Sequence, residues 1–174
     1  MSINKGYLTA KTNKESDECY TPREAVLPLL KYIPKDKIIW CPFDTKDSEY
    51  VKVFQENDYN VIYSHIDNGE NFFYYEPDNY DIIVSNPPFS IKDDVLKHLD
   101  ELNKPYAILL PLPSLQGQKR FTYLQGGQAL IFDKRINFYK DKEHTKMEKG
   151  VAFASIYVCK DLLPNDLIFE KIEL

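Results

Sequence analysis

Short apolar runs alternate with amphipathic stretches along most of the chain. Residues 1–17 are polar and lysine-rich without apolar periodicity, which predicts a flexible N-terminal arm and no secretory signal. Thr21-Pro22-Arg23-Glu24 then reads as a helix start, with Thr21 as cap, Pro22 at the first position and Glu24 closing a capping box. Ala25, Leu27, Leu29, Leu30 and Ile33 supply its apolar side, predicting a helix over 22–33 that Pro34 ends. Further helices are predicted near 47–57, on Tyr50, Val51, Val53 and Phe54, and near 91–102, after the capping signature of Ser90 and Asp93. Four-to-five-residue apolar runs at 37–41, 61–64, 81–85, 106–110 and 128–132 read as buried strands. Segments 135–138 and 151–158 read as two strands of a closing hairpin joined by a charged loop.

Strands that are apolar throughout are covered on both faces, which predicts an α/β fold with a mostly parallel central sheet. Helices then lie on both faces, and the C-terminal hairpin adds an antiparallel edge. A length of 174 residues fits one domain, expected over 18–174. A hydrophobic share of 43%, with 14% aromatics, excludes disorder for the body of the chain. No apolar run approaches the ~18 residues of a membrane span. The formal charge of −5 excludes nucleic-acid binding through overall charge, but leaves room for a local basic face. Cys19, Cys41 and Cys159 are scattered and odd in number, which points to a reducing, cytoplasmic setting. His65, His98 and His144 have no ligand spacing with one another or with the cysteines, so no metal site is expected.

The most informative segment is Ser85-Asn86-Pro87-Pro88-Phe89, directly after the run 81–85. In a parallel sheet, ligands bind beyond the carboxyl ends of strands. Two prolines stiffen the turn and remove two N–H donors, so it offers carbonyl acceptors. Asn86 adds a side-chain acceptor and Phe89 a flat apolar face. Together these four residues suit a planar ring bearing an exocyclic amine.

Asn-Pro-Pro-Phe after a strand resembles the motif of amino-group methyltransferases that use S-adenosylmethionine and modify adenine N6 or cytosine N4. The likeness extends over roughly 19–160 and is greatest to small phage-type adenine methyltransferases. It implies a Rossmann-like methyltransferase fold without a separate target-recognition domain. Asn86, Pro87, Pro88 and Phe89 are then the catalytic turn. The resemblance also implies that Tyr20, Thr21 and Pro22 pack on the methionine part of the cofactor. Cys41, Pro42, Phe43 and Asp44 correspond to the first-strand motif, with Cys41 where an acidic residue is usual and without the usual glycines. His65, Ile66 and Asp67 fall at the ribose position, and Asn71-Phe72 at the adenine position.

Segment 117–142 has a net charge of +4 and includes Phe121, Tyr123, Phe138 and Tyr139. Lys119, Arg120, Lys134 and Arg135 are its candidate phosphate contacts, for DNA ahead of RNA. By the resemblance, the charged loop 139–150 lies near the Asn86 turn. The expected activity is adenine-N6 methylation of nucleic acid in a cytoplasm, that of the host for a phage-encoded chain. The competing expectation is a non-catalytic protein of the same fold that blocks a host protein.

Overall fold

The computed structural model describes residues 19–148, 151 and 153–173. The arm expected over 1–17 lies outside the described residues. The chain forms one seven-stranded sheet in the order β2-β1-β3-β4-β6-β5-β7. The strands are β1 (Ile38–Cys41), β2 (Asn60–Tyr63), β3 (Ile82–Ser85), β4 (Tyr106–Pro111), β5 (Gln128–Phe132), β6 (Ser155–Lys160) and β7 (Leu167–Glu170). The helices are α1 (Arg23–Val26), α2 (Glu49–Glu56) and α3 (Lys92–Leu102).

The first four strands are mutually parallel, in the order β2-β1-β3-β4. From β1 the chain crosses through α2 to β2 on one side. From β3 it crosses through α3 to β4 on the other. Right-handed crossovers in opposite directions put the two helices on opposite faces. The packing agrees. Trp40 of β1 meets Phe72, whose ring stands edge-on to His98 of α3 at 4.8 Å. On the other face, the buried hydroxyls of Tyr50 in α2 and Tyr157 in β6 meet at 2.8 Å. This is the mostly parallel α/β arrangement expected from the apolar runs, in the Rossmann-like form that the resemblance implies, and β1/β3 is its topological switch point.

The structure departs from the expectations in four ways, one of them a strand that was not expected. The antiparallel part is not a hairpin of 135–138 with 151–158. β6 inserts between β4 and β5 and runs antiparallel to both. Ile136 and Phe138 are buried alternately, as a strand would bury them, yet 135–138 carries no ladder. Second, β7 pairs in parallel with β5 at the sheet edge. Its exposed Leu167 and Phe169 give the run no two-sided burial to reveal it. Third, the helix expected over 22–33 is α-helical only through Val26 and continues as a 3-10 helix, Leu27–Lys31. Pro28 lacks the N–H that an α-helix would use there. Fourth, the N-cap positions of α1 and α3 fall on Pro22 and Ile91, neither of which caps with its side chain, rather than on Thr21 and Ser90.

Candidate functional site

A cavity of about 420 Å³ opens beyond the carboxyl ends of β1, β2 and β3. It sits at the switch point, where two crossovers diverge and leave a crevice. Its walls come from the segments after those three strands, the residues before α1, and the start of α2.

Most of the sequence-predicted residues converge there. Tyr20 and Thr21 line it from the N-terminal side, and Pro42, Phe43 and Asp44 from the turn after β1. His65, Ile66 and Asp67 contribute from the turn after β2, and Asn71 and Phe72 from the segment before β3. Asn86 and Pro88 close the wall after β3. Four expected residues are not among the lining: Pro22, Cys41, Pro87 and Phe89. Cys41 is wholly buried in β1, and desolvation, with Asp44 nearby, pushes its thiol well above the usual range.

The Asn86 side chain is fixed by long-range partners. Its Nδ2 donates to the Cys19 carbonyl at 2.9 Å and to Thr21 Oγ1 at 3.0 Å. A carbonyl oxygen only accepts, so the Cys19 contact fixes which end of the amide is nitrogen. Oδ1 is left buried without a hydrogen-bond partner. More than nine in ten buried polar groups are paired, which makes this acceptor exceptional. Thr21 thus spends its hydroxyl here rather than on capping α1, and it also interacts with the Tyr50 hydroxyl.

Asp44 is the most perturbed carboxyl in the cavity. It is 7% exposed, and burial raises its pKa from 3.8 to about 6. Hydrogen bonds from Ser85 and Ser48 oppose that rise in part. Asp47, Glu49 and Asp67 add three carboxylates, against Lys142 as the one lysine or arginine among the lining residues. The cavity therefore favours a cation.

At the β2 turn, His65 Nδ1 accepts from the Asp67 backbone N–H at 3.2 Å. That bond caps the 3-10 turn Ile66–Asn68 and occupies the neutral ring's acceptor. The Asp67 carboxylate is 72% exposed, and its Oδ2 lies 3.3 Å from His65 Nδ1. At the opposite end, Phe89 is 8% exposed. Phe138 and Phe153 meet its ring edge-on at 6.3 and 5.5 Å, so the face expected for a target base is covered.

The candidate phosphate contacts divide. Lys119 and Lys134 are exposed. Arg120 is a brace: its guanidinium donates to the Ser114 carbonyl at 2.7 Å, to the Gln116 carbonyl at 2.9 Å and to Asp93. Arg135 donates to the Val151 carbonyl at 3.0 Å.

Sequence reasoning missed Asp47, Glu49, Tyr50 and His144 as lining residues. The first three were discoverable, because the helix after the first strand of such a sheet starts at the switch point. Lys142 and His144 belong to the charged loop expected near the Asn86 turn. His144 stacks on Tyr139 at 4.8 Å and places Nδ1 3.4 Å from Glu49 Oε1. Among the described residues, no cluster of three or more His, Cys, Asp or Glu could hold a metal, and no helix is long and apolar enough to cross a membrane.

The fold and the crevice define a Rossmann-like α/β protein with an acidic cavity at its switch point. No protein-family model matches the chain, and no curated protein matches it. Among solved structures it is similar to the methyltransferase subunit of a type I restriction-modification system from Streptococcus thermophilus. That similarity has 15% identity and a TM-score of 0.49, and covers 88% of this chain and 47% of the other. The chain thus spans about half the length of that subunit.

Proposed function

We propose that this chain transfers a methyl group from S-adenosylmethionine to the N6 amine of adenine in nucleic acid, with DNA the favoured polymer on the motif's resemblance. The observation that carries the reading is Asn86. Its amide nitrogen is anchored twice, and its oxygen is a rigid acceptor without a partner.

The cavity suits the cofactor on its own chemistry. Its volume lies within the ~300–1,000 Å³ of small-molecule sites. Four carboxylates against one lysine favour a ligand carrying a sulfonium and an ammonium. Phe43 and Phe72, with ring centroids 5.0 Å apart, offer an apolar wall for a purine. The exposed Asp67 carboxylate, whose Oδ2 adjoins His65, is an acceptor for the ribose hydroxyls ahead of His65, whose neutral ring has its acceptor occupied. Bound S-adenosylmethionine supplies an electrophilic methyl group.

The chain's own groups do the rest. Asn86 Oδ1 accepts one amine N–H and the Pro87 carbonyl the other, which favours a pyramidal nitrogen with a localised lone pair. The rigid Asn86 turn sets the direction of attack. The alkylated nitrogen is cationic and loses its proton afterwards to water, so the site needs no strong base. A target in a duplex must first leave the stack.

Calorimetric titration with S-adenosylmethionine and with its demethylated product tests this reading. The sulfonium form should bind more tightly, because the product lacks one positive charge. Binding of neither compound would remove the reading. It would favour a non-catalytic protein of the same fold, in line with the covered face of Phe89.

A further inference from the structure

Among the described residues, three buried side-chain polar atoms have no hydrogen-bond partner: Asn86 Oδ1, Ser114 Oγ and Ser155 Oγ. All three lie at one end of three neighbouring strands. Asn86 follows β3 directly. Ser114 lies in the 3-10 turn just past β4. Ser155 opens β6, which is antiparallel to β4, so its first residue pairs with the last residue of β4, Pro111. Ser114 is 2% and Ser155 4% exposed.

Other contacts tie the three positions together. Phe153, two residues before Ser155, stands edge-on to Phe89, three residues after Asn86. Arg120 holds the Ser114 carbonyl and also Asp93, in the first turn of the helix that follows the Asn86 turn. The Leu112 N–H donates to the Ala154 carbonyl at 2.8 Å. Burying a hydroxyl without a partner is unfavourable, and native chains rarely do so. Three such atoms at the carboxyl end of the sheet look like one polar site held closed.

We propose that Ser114 and Ser155 form, with Asn86, a base-reading subsite for a nucleobase whose exocyclic amine adjoins a ring nitrogen. This rests on the function proposed above and adds its specificity residues. Asn86 Oδ1 takes an amine N–H, and a serine hydroxyl donates to the adjacent ring nitrogen. Adenine presents such a pair through N6 with N1 or N7, and cytosine through N4 with N3. Presented by its major-groove edge, guanine sets O6 against Asn86 Oδ1, acceptor against acceptor, and thymine does the same with O4. Oδ1 is closed to solvent, so the base enters only when the aromatic cover of Phe138 and Phe153 parts from Phe89.

The test uses the full chain and single-stranded thymine oligonucleotides carrying one adenine, 1-deazaadenine or 7-deazaadenine, bound by fluorescence anisotropy. Single strands remove the need for flipping. The wild type should bind one deaza analogue about fivefold more weakly than adenine, the worth of one net hydrogen bond. In Ser114→Ala or Ser155→Ala that penalty should disappear. Both variants should melt at or above the wild-type temperature, since no hydrogen bond is lost. A purely structural hydroxyl would lower the melting temperature and leave the deaza penalty unchanged. If an alanine variant does not fold, the corresponding Ser→Cys variant keeps the volume with a weaker donor and should lose most of the penalty.

If the wild type methylates adenine yet treats all three bases alike, or the variants keep its penalty, the hydroxyls hold only an ordered water and the subsite is refuted. The methyltransferase reading then stands. If the wild type binds no adenine oligonucleotide and transfers no methyl group, both are overturned.

Discussion

Asp44 offers a prediction in which stability and function oppose each other. Its carboxyl is buried at the cavity wall, with a pKa raised from 3.8 to about 6. The folded chain therefore holds a proton there more tightly than the unfolded chain does. Stability falls as pH rises from about 4 to about 6, and the penalty is fully present above that window. The gap between 3.8 and about 6 corresponds to about 3 kcal/mol. Asp44→Asn removes the charge, and its amide oxygen can still accept from Ser85 and Ser48. The new amide N–H group costs about 1–3 kcal/mol where it finds no partner, but that cost does not vary with pH. The diagnostic quantity is therefore the stability gap between variant and wild type, followed from pH 4 to pH 7.5. Because the unfolded carboxyl is already more than half ionised at pH 4, the gap should move in favour of the variant by about 2 kcal/mol or slightly more over this range, which is roughly 5–10 °C in melting temperature for a chain of this size. Urea unfolding at the two pH values reads it directly. A gap that does not change with pH would show that Asp44 is not held in a desolvated carboxyl site. The same substitution should weaken binding of S-adenosylmethionine, because it deletes the most buried negative charge facing the cation.

Other outcomes follow from the same contacts. Asn86→Ala should lower kcat for methyl transfer by about 10²-fold or more while changing cofactor affinity little, as for loss of a preorganised polar group; equal loss in both would mark a binding role instead. Wild-type affinity for S-adenosylmethionine should rise about tenfold between pH 5 and pH 7 as Asp44 ionises, since a group with a pKa of about 6 is only about one-tenth ionised at pH 5; a flat calorimetric profile over that range contradicts it. Arg120→Ala should destabilise the chain by about 1.5–3 kcal/mol through its lost charge-assisted hydrogen bonds, whereas Lys119→Ala and Lys134→Ala should leave stability unchanged. Each of those two lysine variants should lower the salt slope of nucleic-acid binding by about one, and an unchanged slope would mean that the lysine meets no phosphate.

The parallel half of the sheet was legible because β1, β3 and β4 are almost wholly apolar and buried and each ends at a proline or just before one: Cys41 before Pro42, Ser85 two residues before Pro87, and β4 at Pro111 itself. The Asn86–Phe89 turn stood out in the sequence for a related reason, since two prolines leave few conformations and few donors. What sequence periodicity could not reveal depends on distant partners. Ile136 and Phe138 alternate like a strand, but no neighbour completes a ladder. Thr21 has the residue type and spacing of a helix cap, yet Asn86, far along the chain, takes its hydroxyl. Arg120 looks like a phosphate ligand until two carbonyls and Asp93 are seen to engage all three of its side-chain nitrogens. The orphaned Oδ1 of Asn86 is likewise a tertiary fact, because it exists only where the Cys19 carbonyl fixes the amide nitrogen.

The proposed activity is methyl transfer to an exocyclic amine that donates an N–H to Asn86 Oδ1. Its most direct test is to incubate the full chain with methyl-labelled S-adenosylmethionine and adenine-containing DNA, single- and double-stranded, digest the DNA to nucleosides and identify the label by mass spectrometry. The wild type should yield N6-methyldeoxyadenosine, and Asn86→Ala should lower the yield by about 10²-fold or more. Label on another atom, no label from the wild type, or equal label from the two proteins would contradict it.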